Sequence, residues 1–187
     1  MPKNYLAYIL LVFATLCWSG NFIVGKFAYL FEVPPLTLNF LRWASVWFIL
    51  IPFTYKEIYN NLPYIKKNWF VISFMGIITI STFNSVVYFA LNYTQVINAV
   101  LVLSAIPAVT IVISSLMKVD KTNIFQLIGL LLSIIGVTAI ISNADIQKIT
   151  ALSFNKGDLW MLVCVFTWAI YSTLLKKYKF RFSQFTL

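Results

Sequence analysis

Residues 20–27 read GNFIVGKF, and their spacing is similar to that of a phosphate-binding loop. Gly20, Gly25 and Lys26 satisfy the first seven positions of the pattern G-x-x-x-x-G-K-[ST], whose backbone amides and lysine hold nucleotide phosphates. The eighth position requires a hydroxyl group for the magnesium ion, but Phe27 occupies it. A long apolar run, rather than a short β-strand, precedes Gly20. The segment therefore does not predict a nucleotide site.

Few other residues have the chemistry of an active site. The chain has no histidine, and its two cysteines, Cys17 and Cys164, lie in apolar runs, so neither a zinc site nor a disulfide framework is expected. A nucleophile would then need a lysine as its base, and no lysine lies deep in an apolar run. We therefore expect no enzymatic activity, no metal and no cofactor. The acidic residues lie in loops or at helix boundaries, where none is placed to carry protons: Glu32, Glu57, Asp120, Asp145 and Asp158.

The composition indicates an integral membrane protein. Of 187 residues, 61% are hydrophobic and only 10% are charged, and the mean hydropathy is +0.88. These values lie far from the usual composition of soluble domains. A net charge of +9 would favour a nucleic-acid partner in a soluble protein, but here the positions of the charges explain it better. We therefore expect a lipid bilayer as the environment and no nucleic-acid partner.

The charged residues divide the chain into uncharged runs that can be compared with the roughly 20 apolar residues of a membrane-spanning helix. The run between Lys3 and Lys26 fits one span, and the run between Lys67 and Lys118 fits two spans joined by a turn near residues 92–98. Together the runs predict an all-α, polytopic membrane fold with five or six spanning helices. The remaining apolar runs cover residues 36–55, 122–144 and 159–175.

The lysine and arginine residues predict the orientation, because short cytoplasmic loops carry an excess of them. With the N-terminus in the cytoplasm, the outer loops hold only Lys148 and Lys156. We therefore expect a multi-pass protein of the plasma membrane, in bacteria the inner membrane, with a cytoplasmic N-terminus. The cytoplasmic segments then contain Lys3, Lys56, Lys66, Lys67, Lys118, Lys121, Lys176, Lys177, Lys179 and Arg181.

A weak internal repeat links the two ends of the chain. The segment CWSGNFIVGK, residues 17–26, aligns with TWAIYSTLLK, residues 167–176, at an offset of 150. The alignment pairs Trp18 with Trp168 and Lys26 with Lys176. If one repeat contains five helices, an odd number, the second copy enters the membrane from the opposite side. The alignment therefore predicts inverted repeats, which are common in secondary transporters.

The chain resembles the EamA-type members of the drug/metabolite transporter superfamily, which have ten helices in two inverted five-helix repeats. The resemblance is carried by CWSGNFIVGKFA, PPLTLNFLRWA, VVYFALNYTQVINAVLVLSAIPAVTIVISSL and VDKTNIFQLIGLLLSIIGVTAI. Asp120 stands where family members commonly have a glutamate. The resemblance implies a first repeat over residues 1–144, an external connecting loop over 145–158, and the start of the second repeat, the sixth helix, over 159–187. Family members are longer, so it also implies a truncated chain.

Polar side chains within the predicted spans are the candidates for a substrate site, because such residues usually face the bundle interior or a water-filled cavity. On the first helix, Trp18, Asn21 and Gly25 share one face, and on the third, Ser81, Asn84, Tyr88 and Asn92 form a polar stripe. The predicted substrate-binding residues are Trp18, Asn21, Asn84, Tyr88, Ser104, Pro107, Trp168 and Tyr171.

Structural alternatives exist for each of these residues. Serine and asparagine often hydrogen-bond across helix interfaces, and small residues such as Gly20, Gly25, Gly129 and Gly136 permit close packing. Trp18 is equally compatible with a lipid-facing position.

The two cations near the predicted outer face also allow more than one interpretation. Arg42 is compatible with an outward-reaching side chain, with gating, or with anchoring an anionic group. For Lys26 we favour an outward-reaching side chain at the membrane interface.

Together these features predict a secondary transporter, an exporter of small organic metabolites such as amino acids, or of drugs, that works by alternating access between inverted repeats. The alternative is a truncated, noncatalytic membrane protein or half-transporter. That alternative requires a second copy or a missing C-terminal half as its partner.

Overall fold

The computed structural model describes residues 3–120, 123–141, 155–183 and 186, and this part of the chain contains helices and no strands. Five helical stretches are long and apolar enough to cross a membrane, which confirms the predicted all-α membrane fold. The elements are α1 (Lys3–Leu30), α2 (Pro35–Asn60), α3 (Leu62–Lys67), α4 (Trp69–Gly76), a π-helical segment (Ile77–Phe83), α5 (Asn84–Ala90), α6 (Val96–Leu103), α7 (Ile106–Leu116), α8 (Ile124–Ile141) and α9 (Lys156–Tyr178).

A short link joins α1 to α2. Glu32 adopts a left-handed conformation, with φ of 57°, and the amide of Val33 donates to the carbonyl of Ala28 at 2.8 Å. Left-handed residues and such backward bonds commonly end helices. Pro34 and Pro35 then start α2, where a missing amide hydrogen costs nothing.

The third span is not one regular α-helix. It runs from Trp69 to Ala90, but its middle, Ile77–Phe83, is π-helical. A π-helical turn contains an extra residue, so side chains before and after it no longer follow one 3.6-residue pattern. The span ends in a turn over residues 91–95, and α6 begins at Val96, inside the stretch predicted to be the turn.

The fourth span is interrupted at Ser104 and Ala105, between α6 and α7. Pro107 lies in the first turn of α7. Proline has no amide hydrogen, and its ring clashes with the carbonyl four residues earlier, so the helix cannot continue regularly through this point. The hydroxyl of Ser104 donates to the carbonyl of Leu101 at 2.6 Å and satisfies one acceptor at the break.

The last helix, α9, starts at Lys156, three residues before the predicted start of the sixth span at Leu159. Asn155 explains the difference: its side chain accepts from the amide of Asp158 at 2.8 Å, and Asp158 accepts in return from the amide of Asn155 at 3.3 Å. This reciprocal pair is a capping box. Most of the predicted connecting loop, residues 145–158, lies outside the described residues.

The core forms where α9 packs against α5, α6 and α7. Its fully buried members are mainly small or branched, as is usual where membrane helices approach closely. By contrast, most side chains of α1 and α8 are exposed, and a Cβ at Gly129 or Gly136 would meet no atom within 4 Å. Close packing at these two glycines was predicted and is not observed among the described residues. The core residues are Val87, Tyr88, Ala90, Leu91, Ala99, Val102, Met161, Cys164 and Val165.

Candidate functional site

Four polar side chains from three helices meet inside the spans, and Arg42 of α2 is at their centre. Its Nη1 donates to Asn21 Oδ1 at 2.5 Å and to the hydroxyl of Tyr88. Its Nη2 donates to Asn84 Oδ1 at 2.9 Å, and the Tyr88 hydroxyl donates to Asn21 Oδ1 at 2.6 Å. We call Asn21, Arg42, Asn84 and Tyr88 the arginine cluster. Three of the predicted site residues therefore surround the predicted gating or anion-anchoring residue.

Helical spacing and one glycine bring α1 to this cluster. Asn21 and Gly25 are one turn apart on α1, and Asn84 and Tyr88 are one turn apart on α5. A Cβ at Gly25 would lie 2.7 Å from Cδ1 of Tyr88. Only glycine therefore lets α1 approach Tyr88 this closely. At Gly20 no atom lies within 4 Å of a Cβ position, so the contact predicted there is not observed.

Hydrogen bonds to the π-helical segment hold Asn84 in place. Similar bonds hold Asn39 of α2, which was not predicted as a site residue. Asn84 Nδ2 donates to the carbonyl of Thr79 at 2.8 Å. Asn39 Nδ2 donates to the carbonyl of Ile80 at 2.8 Å and to Ser85 Oγ at 2.9 Å. Side-chain donors of this kind satisfy backbone carbonyls where a membrane helix departs from α geometry. Asn39 could have been found from its position one turn before Arg42.

Aromatic rings fix the direction of the Arg42 side chain. The guanidinium carbon lies 5.1 Å from the centre of the Trp43 ring and 5.9 Å from that of Tyr88. Both distances are within the range of cation–π attraction. The side chain therefore points into the bundle towards α1 and α5, and it does not reach outward as one interpretation of the sequence predicted.

Lys26 also differs from the outward-reaching side chain that we favoured. Its ammonium group donates to the carbonyls of Leu91 at 2.6 Å and Thr94 at 3.1 Å. These carbonyls lie just after the end of α5, where unpaired acceptors and the negative end of the helix dipole favour a cation. Lys26 thus joins α1 to the turn after α5, next to a polar depression of about 640 Å³ lined also by Asn92 and Asn155.

A second, aromatic group lies around Trp168 of α9. Its ring centre is 5.9 Å from that of Trp18, 4.7 Å from Phe83 and 5.7 Å from Tyr171. Trp18, Trp168 and Tyr171 are thus brought together, although 61% of Trp18 is exposed. Phe83 belongs to the π-helical segment and was not predicted as a site residue.

Two serines and the proline at the interruption of the fourth span lie apart from the arginine cluster and from the aromatic group. Ser104 and Pro107 are exposed, and the Ser104 hydroxyl donates to the carbonyl of Leu101 in the preceding turn. Ser81 is exposed as well, although it was placed on one stripe with Asn84 and Tyr88. The extra residue of the π-helical segment explains this, since it rotates Ser81 away from the face that Asn84 and Tyr88 share.

Polar contacts of Asp120 and Glu57 join neighbouring segments at the end of the bundle that the charge pattern assigns to the cytoplasm. Lys176 Nζ contacts Asp120 Oδ1 at 2.6 Å, and Ser114 Oγ donates to Asp120 Oδ2 at 2.7 Å. The Lys176 ammonium group holds the pKa of the Asp120 carboxyl below its usual value, with help from Ser114. At the same end, the Ser183 hydroxyl donates to Glu57 Oε2 at 2.6 Å.

The sequence profile of the EamA-like transporter family matches residues 5–142. The uncharacterized transporter YyaM of Bacillus subtilis is 26% identical over 94% of this chain, which corresponds to 57% of YyaM. An uncharacterized transporter of Archaeoglobus fulgidus is 27% identical over 98% of this chain and 62% of its own length.

The chain thus spans about three fifths of the length of these relatives. No solved structure matches it significantly. The arginine cluster and the first four membrane-spanning stretches, from Tyr5 to Leu116, fall within the matched residues. The chain is a multi-pass membrane protein that belongs to the EamA-like transporter family.

Proposed function

We propose that the chain forms the substrate-binding part of a secondary transporter for small organic metabolites. The observation that carries this proposal is the arginine cluster, because polar and charged side chains inside membrane helices are costly and usually mark a transport pathway. The aromatic group around Trp168 supplies apolar surface, and the ring of Phe83 in the π-helical segment lies 4.7 Å from that of Trp168. A polar group beside aromatic rings is the usual composition of a small-molecule site.

In this proposal the substrate lies between the arginine cluster and the aromatic group, and the helices rock around it. Trp18, Asn21, Asn84, Tyr88, Trp168 and Tyr171 line the site. Ser104 and Pro107 are exposed here and line it only when further helices cover α6 and α7. The Asp120–Lys176 ion pair, at 2.6 Å, closes the cytoplasmic end and breaks when the site opens inward. Export is the direction we propose.

Transport by the 187-residue chain in liposomes tests this proposal. Radiolabelled amino acids, nucleosides and cationic drugs are loaded inside, and their exit is followed with and without the protein. We expect at least one class to exit faster with the protein, and Tyr88→Ala to reduce that rate while inserting normally. Lys66→Gln, at an exposed position on α3, is the control and should keep the full rate. Equal exit in the presence and absence of protein would refute transport by this chain.

A second proposal is that the chain works as half of a larger assembly. It is supported by the relatives' greater length and by the large apolar side chains of α1 and α8 that remain exposed, such as Phe13 and Leu131. Chemical cross-linking in native membranes distinguishes the two proposals. A cross-linked dimer together with activity only at high protein-to-lipid ratio supports the assembly, whereas activity at one chain per vesicle excludes it.

The proposed orientation, with a cytoplasmic N-terminus, has its own test. Single cysteines between Glu57 and Lys66 should react with a membrane-impermeant maleimide only after the cells are opened. Cys17 and Cys164 are first replaced by alanine to remove background labelling. Labelling of these positions in intact cells would show that the topology is inverted.

A further inference from the structure

We infer that Arg42 is the anchor for a carboxylate group of the substrate, so the transported compounds are small organic carboxylates, including zwitterionic amino acids. This inference names the substrate class of the site proposed above and rests on that proposed function. Arg42 carries a positive charge and lies seven residues into α2, about 10 Å from the start of the helix.

The positive charge of Arg42 has no negative partner among the described residues. The one salt bridge found there joins Lys176 to Asp120. The oxygens that Arg42 contacts belong to two amides and a phenol, all of them neutral. An arginine inside a membrane is costly unless an opposite charge or water compensates it. An anionic ligand would supply that compensation during the transport cycle.

The guanidinium group also has donors left for such a ligand. Arginine carries five N–H groups. The described hydrogen bonds use two on Nη1 and one on Nη2. The Nε hydrogen and one Nη2 hydrogen therefore remain without an acceptor among the described residues. A carboxylate has two oxygens spaced to accept from two guanidinium hydrogens, and this pairing is among the strongest hydrogen-bonded contacts in proteins.

Neighbouring groups hold the guanidinium ready and add another donor. Asn21, Asn84 and Tyr88 fix its orientation from one side, while the Trp43 ring lies 5.1 Å away. The indole Nε1 of Trp43 is buried and has no acceptor among the described residues. A buried donor without a partner costs stability, so an anion near the guanidinium would also benefit from this N–H group. The same positive site repels cationic compounds.

Binding to the purified 187-residue chain in detergent micelles tests the inference. Calorimetric titrations compare matched pairs that differ only in the carboxylate: phenylacetate with phenylacetamide, phenylalanine with phenylalanine amide, and leucine with leucinamide. Inorganic phosphate is a further probe. We expect at least one carboxylate to bind about tenfold or more tightly than its amide, the effect of one lost charged hydrogen-bond pair.

Substitutions assign the binding to Arg42. Arg42→Gln should abolish the preference for the carboxylate, and Arg42→Lys should weaken binding because lysine keeps the charge but loses the planar pair of donors. Lys26→Gln removes the same charge from another half-buried position that bonds only backbone carbonyls, and it should keep the preference. Size-exclusion profiles show whether each variant is folded. If Arg42→Gln does not fold, the comparison of Arg42→Lys with the native chain decides.

Several outcomes would overturn the inference: equal binding of acids and amides, no binding of any carboxylate, an unchanged preference in Arg42→Gln, an unchanged carboxylate affinity in Arg42→Lys, or binding of phosphate alone. The liposome assay separates this failure from that of the proposed function. Transport of amides or cations without carboxylates refutes the carboxylate anchor and leaves the transporter. Carboxylate binding that depends on Arg42, without any transport, refutes the transporter and leaves the anchor.

Discussion

The indole rings of Trp18 and Trp168 meet edge to face, with their centres 5.9 Å apart and their planes at 81°. These are the two residues that the 150-residue offset pairs in the predicted internal repeat. Equivalent positions of two repeats meet where a pseudo-twofold axis passes between them, so the contact is what an inverted repeat predicts. The repeat itself stays a prediction, because α9, the proposed first helix of the second repeat, is the last helix among the described residues.

A double-mutant cycle on this pair should reveal a coupling of about 0.5–1.5 kcal/mol, the usual range for edge-to-face aromatic pairs. Trp18→Ala alone should cost little because most of Trp18 is exposed. Trp168→Ala should cost more, since Trp168 also packs on Phe83 and Tyr171. Unfolding of the helices in increasing SDS, followed by circular dichroism, measures the three variants. Fully additive costs would show that the two rings do not interact in the membrane.

Alanine at Gly25 should destabilise the protein by about 1–3 kcal/mol, as overpacking in a filled space usually does. The new Cβ would lie 2.7 Å from the Tyr88 ring. The ring must then move, and its hydrogen bonds to Arg42 and Asn21 weaken. Gly20→Ala is the matched control on the same helix, where the space is open. It should be neutral or stabilise α1 by up to about 1 kcal/mol. Equal costs for the two variants in SDS unfolding would contradict the close approach of α1.

Lys26→Met should destabilise the turn after α5 by about 1–3 kcal/mol, because it leaves two acceptors without their charged donor. Methionine keeps most of the apolar stem, so the change isolates the ammonium group. Hydrogen exchange at Tyr93 and Thr94, in the turn that Lys26 holds, should accelerate in this variant. Lys66→Met, at an exposed position on α3, serves for comparison and should leave that exchange unchanged. Unaltered exchange in Lys26→Met would mean that the ammonium group lies elsewhere.

Acid should weaken the contact between Asp120 and Lys176. The pKa of Asp120 is held below its ordinary value of 3.8, chiefly by the hydrogen bond from Lys176. A carboxyl whose pKa is lower in the folded state stabilises the fold above its unfolded pKa, and this contribution is lost as the pH falls through the folded pKa. Both partners are partly exposed, so the effect is small.

Asp120→Asn should therefore lower the melting temperature slightly at pH 7, and the difference from the native chain should shrink at a pH well below 3.8, where the Asp120 carboxyl takes up its proton. Lys177→Gln, which removes a neighbouring exposed charge without an ion-pair partner among the described residues, should show no such pH-dependent difference. Thermal unfolding followed by circular dichroism at both pH values makes the comparison. A difference of the same size at low pH would rule out the ionised pair as its cause.

Spacing on regular helices predicted three members of the arginine cluster, and their role in substrate binding stays a prediction. Asn21, Asn84 and Tyr88 were selected because polar residues in a span need an inward position, and the structure places them together around Arg42. The uncharged runs likewise located the spans, because the thickness of the bilayer sets the number of apolar residues that a spanning helix needs. Both inferences depend on local periodicity and composition alone.

Other features depended on contacts that local sequence does not specify. The segment IITISTF contains no glycine or proline, so nothing in it predicts the π-helical turn that separates Ser81 from Asn84. The direction of Lys26 depends on carbonyls 65 and 68 residues away. The exposure of Ser104 and Pro107 depends on which helices cover α6 and α7. The sequence of α6 and α7 alone does not specify those helices.

Because of the π-helical segment, the two halves of the third span face different neighbours. Each extra residue in a turn rotates everything beyond it by about 100° around the helix axis. Before the segment in the chain, Met75 packs against Leu174 of α9. After the segment, Asn84 and Tyr88 face α1 and α2. The third span can thus pack against α9 through its π-helical segment and α5 and still present Asn84 and Tyr88 to α1 and α2. Deleting a single residue between Ile77 and Phe83 would realign the two halves and turn the arginine's partners away from it.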